Sequence, residues 1–179
     1  MLIERSRKET NYRSNTGALD VFRALQGAGV KLKPDEQFQM AEAARNRGIA
    51  IEAANAWDVL VKANDPLATK NKGLADKVKA DAAADKASGL AKSETEAATR
   101  ASGEQFGIAA EAYMANGNYA KAIELFNKGI AKGQMDAGAV DLIKVRLGVA
   151  QFKGGKKDDA KKTWASVKAD NGAAWLAKS

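Results

Sequence analysis

The sequence predicts an all-α protein, an α-solenoid of stacked antiparallel helical hairpins, on three observations. Alanine supplies 38 of the 179 residues and proline only two, Pro34 and Pro66, a mixture that favours helix because alanine loses no side-chain freedom on becoming helical. Strand-type segments are nearly absent. A pattern of small residue, glycine, alanine and aromatic returns along the chain at a near-constant interval, the mark of like units stacked on one another.

The clearest copy is Ala110, Tyr113, Gly117, Ala122 and Phe126. The frame returns as Ala41, Ala44, Gly48, Ala53 and Trp57, and again as Gly148, Gly155, Ala160 and Trp164, with Leu147 before the small residue. A partial copy, Ala18, Phe22 and Leu25, corresponds to Ala53, Trp57 and Leu60. Register is the sharper test. Ala18 to Ala53 and Phe22 to Trp57 are both 35 apart; Gly48 to Gly117, Ala53 to Ala122 and Trp57 to Phe126 are each 69; Gly117 to Gly155, Ala122 to Ala160 and Phe126 to Trp164 are each 38.

Each repeated position has a mechanical reason. Small residues at 41, 110 and 148, with Ala53, Ala122 and Ala160, let two helices approach where they cross. Gly48, Gly117 and Gly155 stand between helical patterns, where a residue able to take positive φ ends the first helix. Trp57, Phe126 and Trp164 are expected in the core, each worth about 3–5 kcal/mol against alanine if buried.

In chain order, helices are expected at about 17–28, 35–46, 50–63, 104–116, 119–132, 139–153 and 157–168. Pro34 opens the second with Asp35 and Glu36 near the positive end of the helix dipole, and Pro66 stops the third. Residues 71–100 have only Leu74, Val78 and Leu90 as sizeable apolar residues. A degenerate hairpin is the favoured reading there, because 69 is near twice the shorter interval; a connecting helix and a linker are the alternatives. Sparse packing makes this the most easily opened part.

Composition excludes much chemistry. With no cysteine and no histidine, the chain lacks thiol nucleophiles, disulfides, most zinc geometries and the usual general base near neutral pH. Gly27-Ala28-Gly29 lacks the strand and third glycine of a dinucleotide loop, and Gly154-Gly155-Lys156-Lys157 lacks the lead-in and hydroxyl of a phosphate loop, so both read as turns. Asp158 and Asp159 are adjacent and diverge on a helix. No catalytic constellation and no cofactor is expected. The first ten residues contain no apolar run of signal-peptide length, and nowhere is there the run of about 18 apolar residues of a membrane span. The net charge of +7 is spread along the chain; its densest stretch, Lys153, Lys156, Lys157, Lys161 and Lys162, is interrupted by acids and reads as a solvated face.

The run from Ala110 through Tyr113, Gly117 and Ala122 to Phe126 resembles the tetratricopeptide repeat, whose period is 34. Measured against it the last unit carries four extra residues, about one helical turn, which would lengthen a helix without rotating its apolar face. The resemblance implies a right-handed superhelix, with N-terminal hairpins over residues 1–70, a degenerate alanine-rich hairpin or connecting helix over 71–103, and C-terminal hairpins over 104–179, in one continuous solenoid. It also implies a scaffold that takes a peptide or protein in a concave groove lined by the first helix of each hairpin. The matching residues are Phe38, Glu42, Arg45 and Asn46, then Glu111 and Met114, then Phe152 and Lys153. Arg45 and Arg47 have the best claim to a carboxylate or phosphate, because a guanidinium offers planar paired donors. At the positions where some members clamp a peptide carboxylate this chain has Phe38, Glu42, Gly107, Glu111, Val145 and Val149, and the two glutamates would repel one. Polyanion or nucleic-acid binding through the basic last hairpin is the weaker alternative, and a monomer or weak oligomer is expected. The close, from Val145 to Ala160 with Trp164, Val167 and Trp175, is similar to exported proteobacterial tetratricopeptide proteins of unassigned function. That implies a soluble periplasmic protein if a signal peptide has been removed, and a cytoplasmic one otherwise.

Overall fold

The computed structural model describes residues 15–27 and 29–168, and the chain divides into two compact units between Ala87 and Ser88. The described residues contain helices and turns and no strand. The amino-terminal ten residues, Ala28 and Trp175, all read above from sequence, lie outside them.

The first unit holds α1 (Asn15–Gly27), α2 (Pro34–Asn46), α3 (Ala50–Lys62), α4 (Pro66–Lys70) and α5 (Lys72–Ala84). α1 packs on α2, α2 on α3, and α3 on α5. The α2–α3 hairpin closes on Ala41, Ala44 and Ala53, all without exposed surface, so the two backbones come close where bulk would splay them. Trp57 of α3 is also fully enclosed, with the ring of Phe38 edge-on at 5.4 Å. Phe22, Leu25 and Leu60, aligned with this frame in the sequence, are buried as well. Pro34 begins α2 where expected, and the Lys33 backbone N–H donates to the Glu36 carboxylate at 2.9 Å. Pro66 starts the short helix α4 rather than ending α3. Asp65 caps α4 by accepting the Leu67 N–H.

The turns share one hydrogen-bond pattern. After α2, Gly48 (φ +78°) donates to the Arg45 carbonyl and Ile49 to that of Ala44. Gly117 and Asn118 repeat the pattern on Met114 and Tyr113, and Gly155 and Lys156 on Phe152 and Gln151. It is the paired closure in which a left-handed residue lets two amides reach back to the last-turn carbonyls. After α3 the left-handed position belongs to Asn64 (φ +51°), with Asn64 donating to Val61 and Asp65 to Leu60.

After α5 comes one π-helical turn, Asp85–Gly89, within which the division between the units falls. α6 (Leu90–Thr99), α7 (Glu104–Ala115), α8 (Tyr119–Lys132), α9 (Ala137–Lys153) and α10 (Lys157–Ala165) follow. The segment 71–100 is thus helical, and its two helices fall in different units. α5 rests on α3, where Lys79 pairs with Asp58 at 2.9 Å, and α6 rests on α7.

The core of the second unit joins Phe106, Leu125, Phe126, Ile143 and Leu147. The N-cap of α7 meets α8 at two glycines: a β-carbon on Gly103 would stand 2.1 Å from the Gly129 carbonyl oxygen. The extra turn of the last repeat appears in α9, 17 residues long against 13 for α2. That helix begins two residues earlier than expected, because the Asp136 carboxylate accepts the Ala139 N–H. α10 stops at Ala165 rather than 168; the Ser166 amide returns to Lys162 and Thr163, and Lys168 donates its N–H to Asp141 instead. Phe126 is enclosed, whereas Trp164 is only half-buried.

Candidate partner-binding faces

The eight residues expected on the first-helix faces divide four and four between the units. In the first unit they stay near the surface. Phe38 is half-buried against Trp57, and Asn46 is exposed. Glu42 accepts from Arg45 Nε at 3.1 Å and from Nη2 at 2.9 Å. This one-turn pair fixes the direction of a guanidinium whose side chain keeps 41% of its surface. The glutamate hydrogen bond also raises the Arg45 pKa above its ordinary value; a guanidinium is a permanent cation in any case, and here Nε and Nη2 are the donors that face Glu42.

In the second unit the expected set separates. Glu111 has no exposed surface and pairs with Arg146 of α9 at 3.1 Å; Met114 lies in the core with Phe126 and Leu147. Neither offers surface to a partner. The physical reason is that α7 is covered by α9, and a charge at residue 111 is tolerated there because its countercharge comes with the covering helix. Gly107 and Val145, at clamp positions, are also enclosed. Phe152 and Lys153 are exposed. Phe152 stands with Trp164 at 6.2 Å and under Lys157 Nζ at 5.8 Å, beside the turn that joins α9 to α10.

Several buried charged residues inside each unit had no sequence signal as core. Arg23, 7% exposed, forks onto Glu52 across α1 and α3, with Nε donating to Oε1 at 2.8 Å and Nη2 to Oε2, while Nη1 reaches Asp20 at 3.0 Å. Asp141 takes Lys144 Nζ at 3.3 Å and the Lys168 amide at 3.1 Å. Among the described residues no group of three or more acidic, histidine or cysteine side chains could hold a metal ion, and no helix is long and apolar enough to cross a membrane.

Small residues at the hairpin crossing, left-handed closure of the turn and an aromatic in the second helix recur in register. Residues 144–171, which take in most of α9 and all of α10, match the family model described as a tetratricopeptide repeat. The chain carries a tetratricopeptide repeat. Neither curated proteins nor solved structures give a match to the chain. Tetratricopeptide repeats generally mediate protein–protein interaction and are typically not enzymes.

Proposed function

We propose that this tetratricopeptide protein is an adaptor that holds a peptide or protein segment against the outer face of α2, with Arg45 as the anchoring cation and Asn46 and Phe38 beside it. The observation that supports it is the Glu42–Arg45 pair, which aims a half-exposed guanidinium instead of letting it wander. A pre-aimed fork loses less freedom on binding than a loose lysine does. Its natural complement is a carboxylate or a run of backbone carbonyls.

A photo-crosslinking side chain placed at Asn46 should capture one protein from native lysate at moderate salt, and the same group at Lys62 should not. Arg45→Glu should abolish the capture. Equal labelling from both positions, or capture that survives Arg45→Glu, would remove the basis of this reading. The second reading, a polyanion on the last hairpin, keeps one supporting fact: Lys153, Lys156, Lys157, Lys161 and Lys162 are all exposed. It requires log affinity to fall with log salt by about 0.9 per duplex phosphate contacted.

A further inference from the structure

The repeat register allows the two outer seams of the second unit to be compared position by position. On α8, Tyr119, Ile123, Phe126 and Ile130 share one helix face by their spacing of three and four. All four pack into the cluster with Ile143, Leu147 and Ala150 of α9. Tyr119 also lies beside Gly154 at the end of α9, its Cβ 3.2 Å from where a β-carbon on that glycine would stand. This stripe is the seat on which the next hairpin lies.

Thirty-eight residues on, the same four positions are Lys157, Lys161, Trp164 and Lys168. Met114, buried in the first of these seams, is replaced by Phe152, which is 49% exposed. The second seat therefore keeps its aromatic centre, Phe152 against Trp164, and exchanges rim positions held by Tyr119 and Ile123 for the exposed Lys157 and Lys161, while Lys168 lies past the end of α10. Phe152 and Trp164 thus leave apolar ring surface uncovered amid positive charge, a combination that an acidic amphipathic surface complements.

We propose that this open seat binds an acidic amphipathic helix of a partner protein, lying across α9–α10 as α9 itself lies across α7–α8. An apolar centre on that helix would cover Phe152 and Trp164, and glutamates or aspartates beside it would meet Lys157 and Lys161. The aromatic pair supplies the affinity and the lysines the orientation and encounter rate. The site is separate from the α2 face and does not rest on it.

The test uses the full chain and an 18-residue synthetic helix with a leucine stripe flanked by glutamates, followed by fluorescence anisotropy. The comparison probes are the same helix with lysine for glutamate, polyglutamate of equal length, and a short DNA duplex. The acidic helix is expected to bind in preference to all three. Lys157→Glu with Lys161→Glu should weaken it at least tenfold and turn preference toward the lysine helix. Phe152→Ala should weaken it similarly, with the circular-dichroism spectrum unchanged because all three side chains are exposed. Arg45→Glu should leave binding intact, which separates this site from the adaptor face. The proposal is overturned if the acidic helix fails to bind, if polyglutamate or duplex binds as well, or if the double lysine variant binds as before. It is equally overturned if sedimentation shows the chain self-associating through this seat, with association abolished by the same double variant, for then the occupant is a second copy.

Discussion

Trp57 and Trp164 occupy equivalent positions in their hairpins, yet their indole nitrogens fare differently. Trp164 Nε1 donates to the Val145 carbonyl at 3.0 Å, and a β-carbon at Gly148 would stand 2.1 Å from that nitrogen, so only glycine permits the pose. Ala41 takes the place of Gly148 in the earlier hairpin, which closes that pose to Trp57, and the Trp57 N–H is buried without an acceptor. A buried donor left unpaired costs about 1–3 kcal/mol. Trp57→Phe should therefore be mild, since it sheds the unpaired group while keeping most of the ring, whereas Trp57→Ala should cost about 3–5 kcal/mol. Urea unfolding of both variants measures this; equal losses would contradict it. Gly148→Ala should destabilise by about 1–3 kcal/mol through overpacking. The enclosed aromatics were legible because repeat register marks them. The Glu111–Arg146 pair was not, because a glutamate on a helix face carries no sign that a later helix brings its countercharge. Glu111→Ala should cost about 3–5 kcal/mol by removing one partner of a buried ion pair, read from the same unfolding curves.

At the scale of helices and turns, sequence and structure agree best where backbone chemistry leaves one solution. Gly48, Gly117 and Gly155 announce left-handed closures and provide them. Asn64 does the same work less visibly, because asparagine is common in loops of every kind. Asn64→Gly is expected to hold or slightly raise stability and Gly117→Ala to cost about 1 kcal/mol, since only the latter places a β-carbon in a left-handed residue that previously had none. Thermal melts of the two variants moving in the same direction and by the same amount would refute this.

Electrostatics at this scale tie α6 to α8. Lys121 bridges Glu94 at 2.9 Å and Glu124 at 3.1 Å, and Lys128 pairs with Glu124 at 2.8 Å. Hydrogen bonds from Lys128 and Lys121 hold the Glu124 pKa below its ordinary value, and those to Glu94 and Glu124 raise that of Lys121. The glutamate's contribution is present above its unfolded pKa and is lost as pH falls through the lower folded one. The lysine's is present below its unfolded pKa and is lost as pH rises through the higher folded one. Wild type and Glu124→Gln should accordingly differ most on the neutral plateau and converge in acid and in strong base. Salt should shrink the difference because the cluster is solvent-facing, and a gap independent of both pH and salt would argue against it.

Across the whole molecule, the 69-residue interval between Gly48 and Gly117 leaves room for one more pair of helices but says little about what the helices between 71 and 100 pack against. Helix there was legible from alanine, whereas the partners of α5 and α6 were not, because alanine faces carry no address. In the second unit three helices contribute large side chains to one core, Phe106 from α7, Leu125 and Phe126 from α8, Ile143 and Leu147 from α9. α6 contributes Ala97. What fastens α6 is polar: Lys132 Nζ lies 3.3 Å from the Ala97 carbonyl oxygen and 2.8 Å from that of Ala98 at its C-terminal end, and Glu94 meets Lys121. Such contacts are individually weak and screened by salt, while the α8 core is not. Amide hydrogen exchange should therefore find 90–99 opening well before 119–132, since few buried apolar contacts mean a low local opening free energy. Raising salt to about 0.5 M, where screening acts within a few ångströms, should speed exchange in α6 and leave α8 unchanged. Equal protection of the two helices, or a salt response confined to α8, would mean that something other than these lysines holds α6 in place.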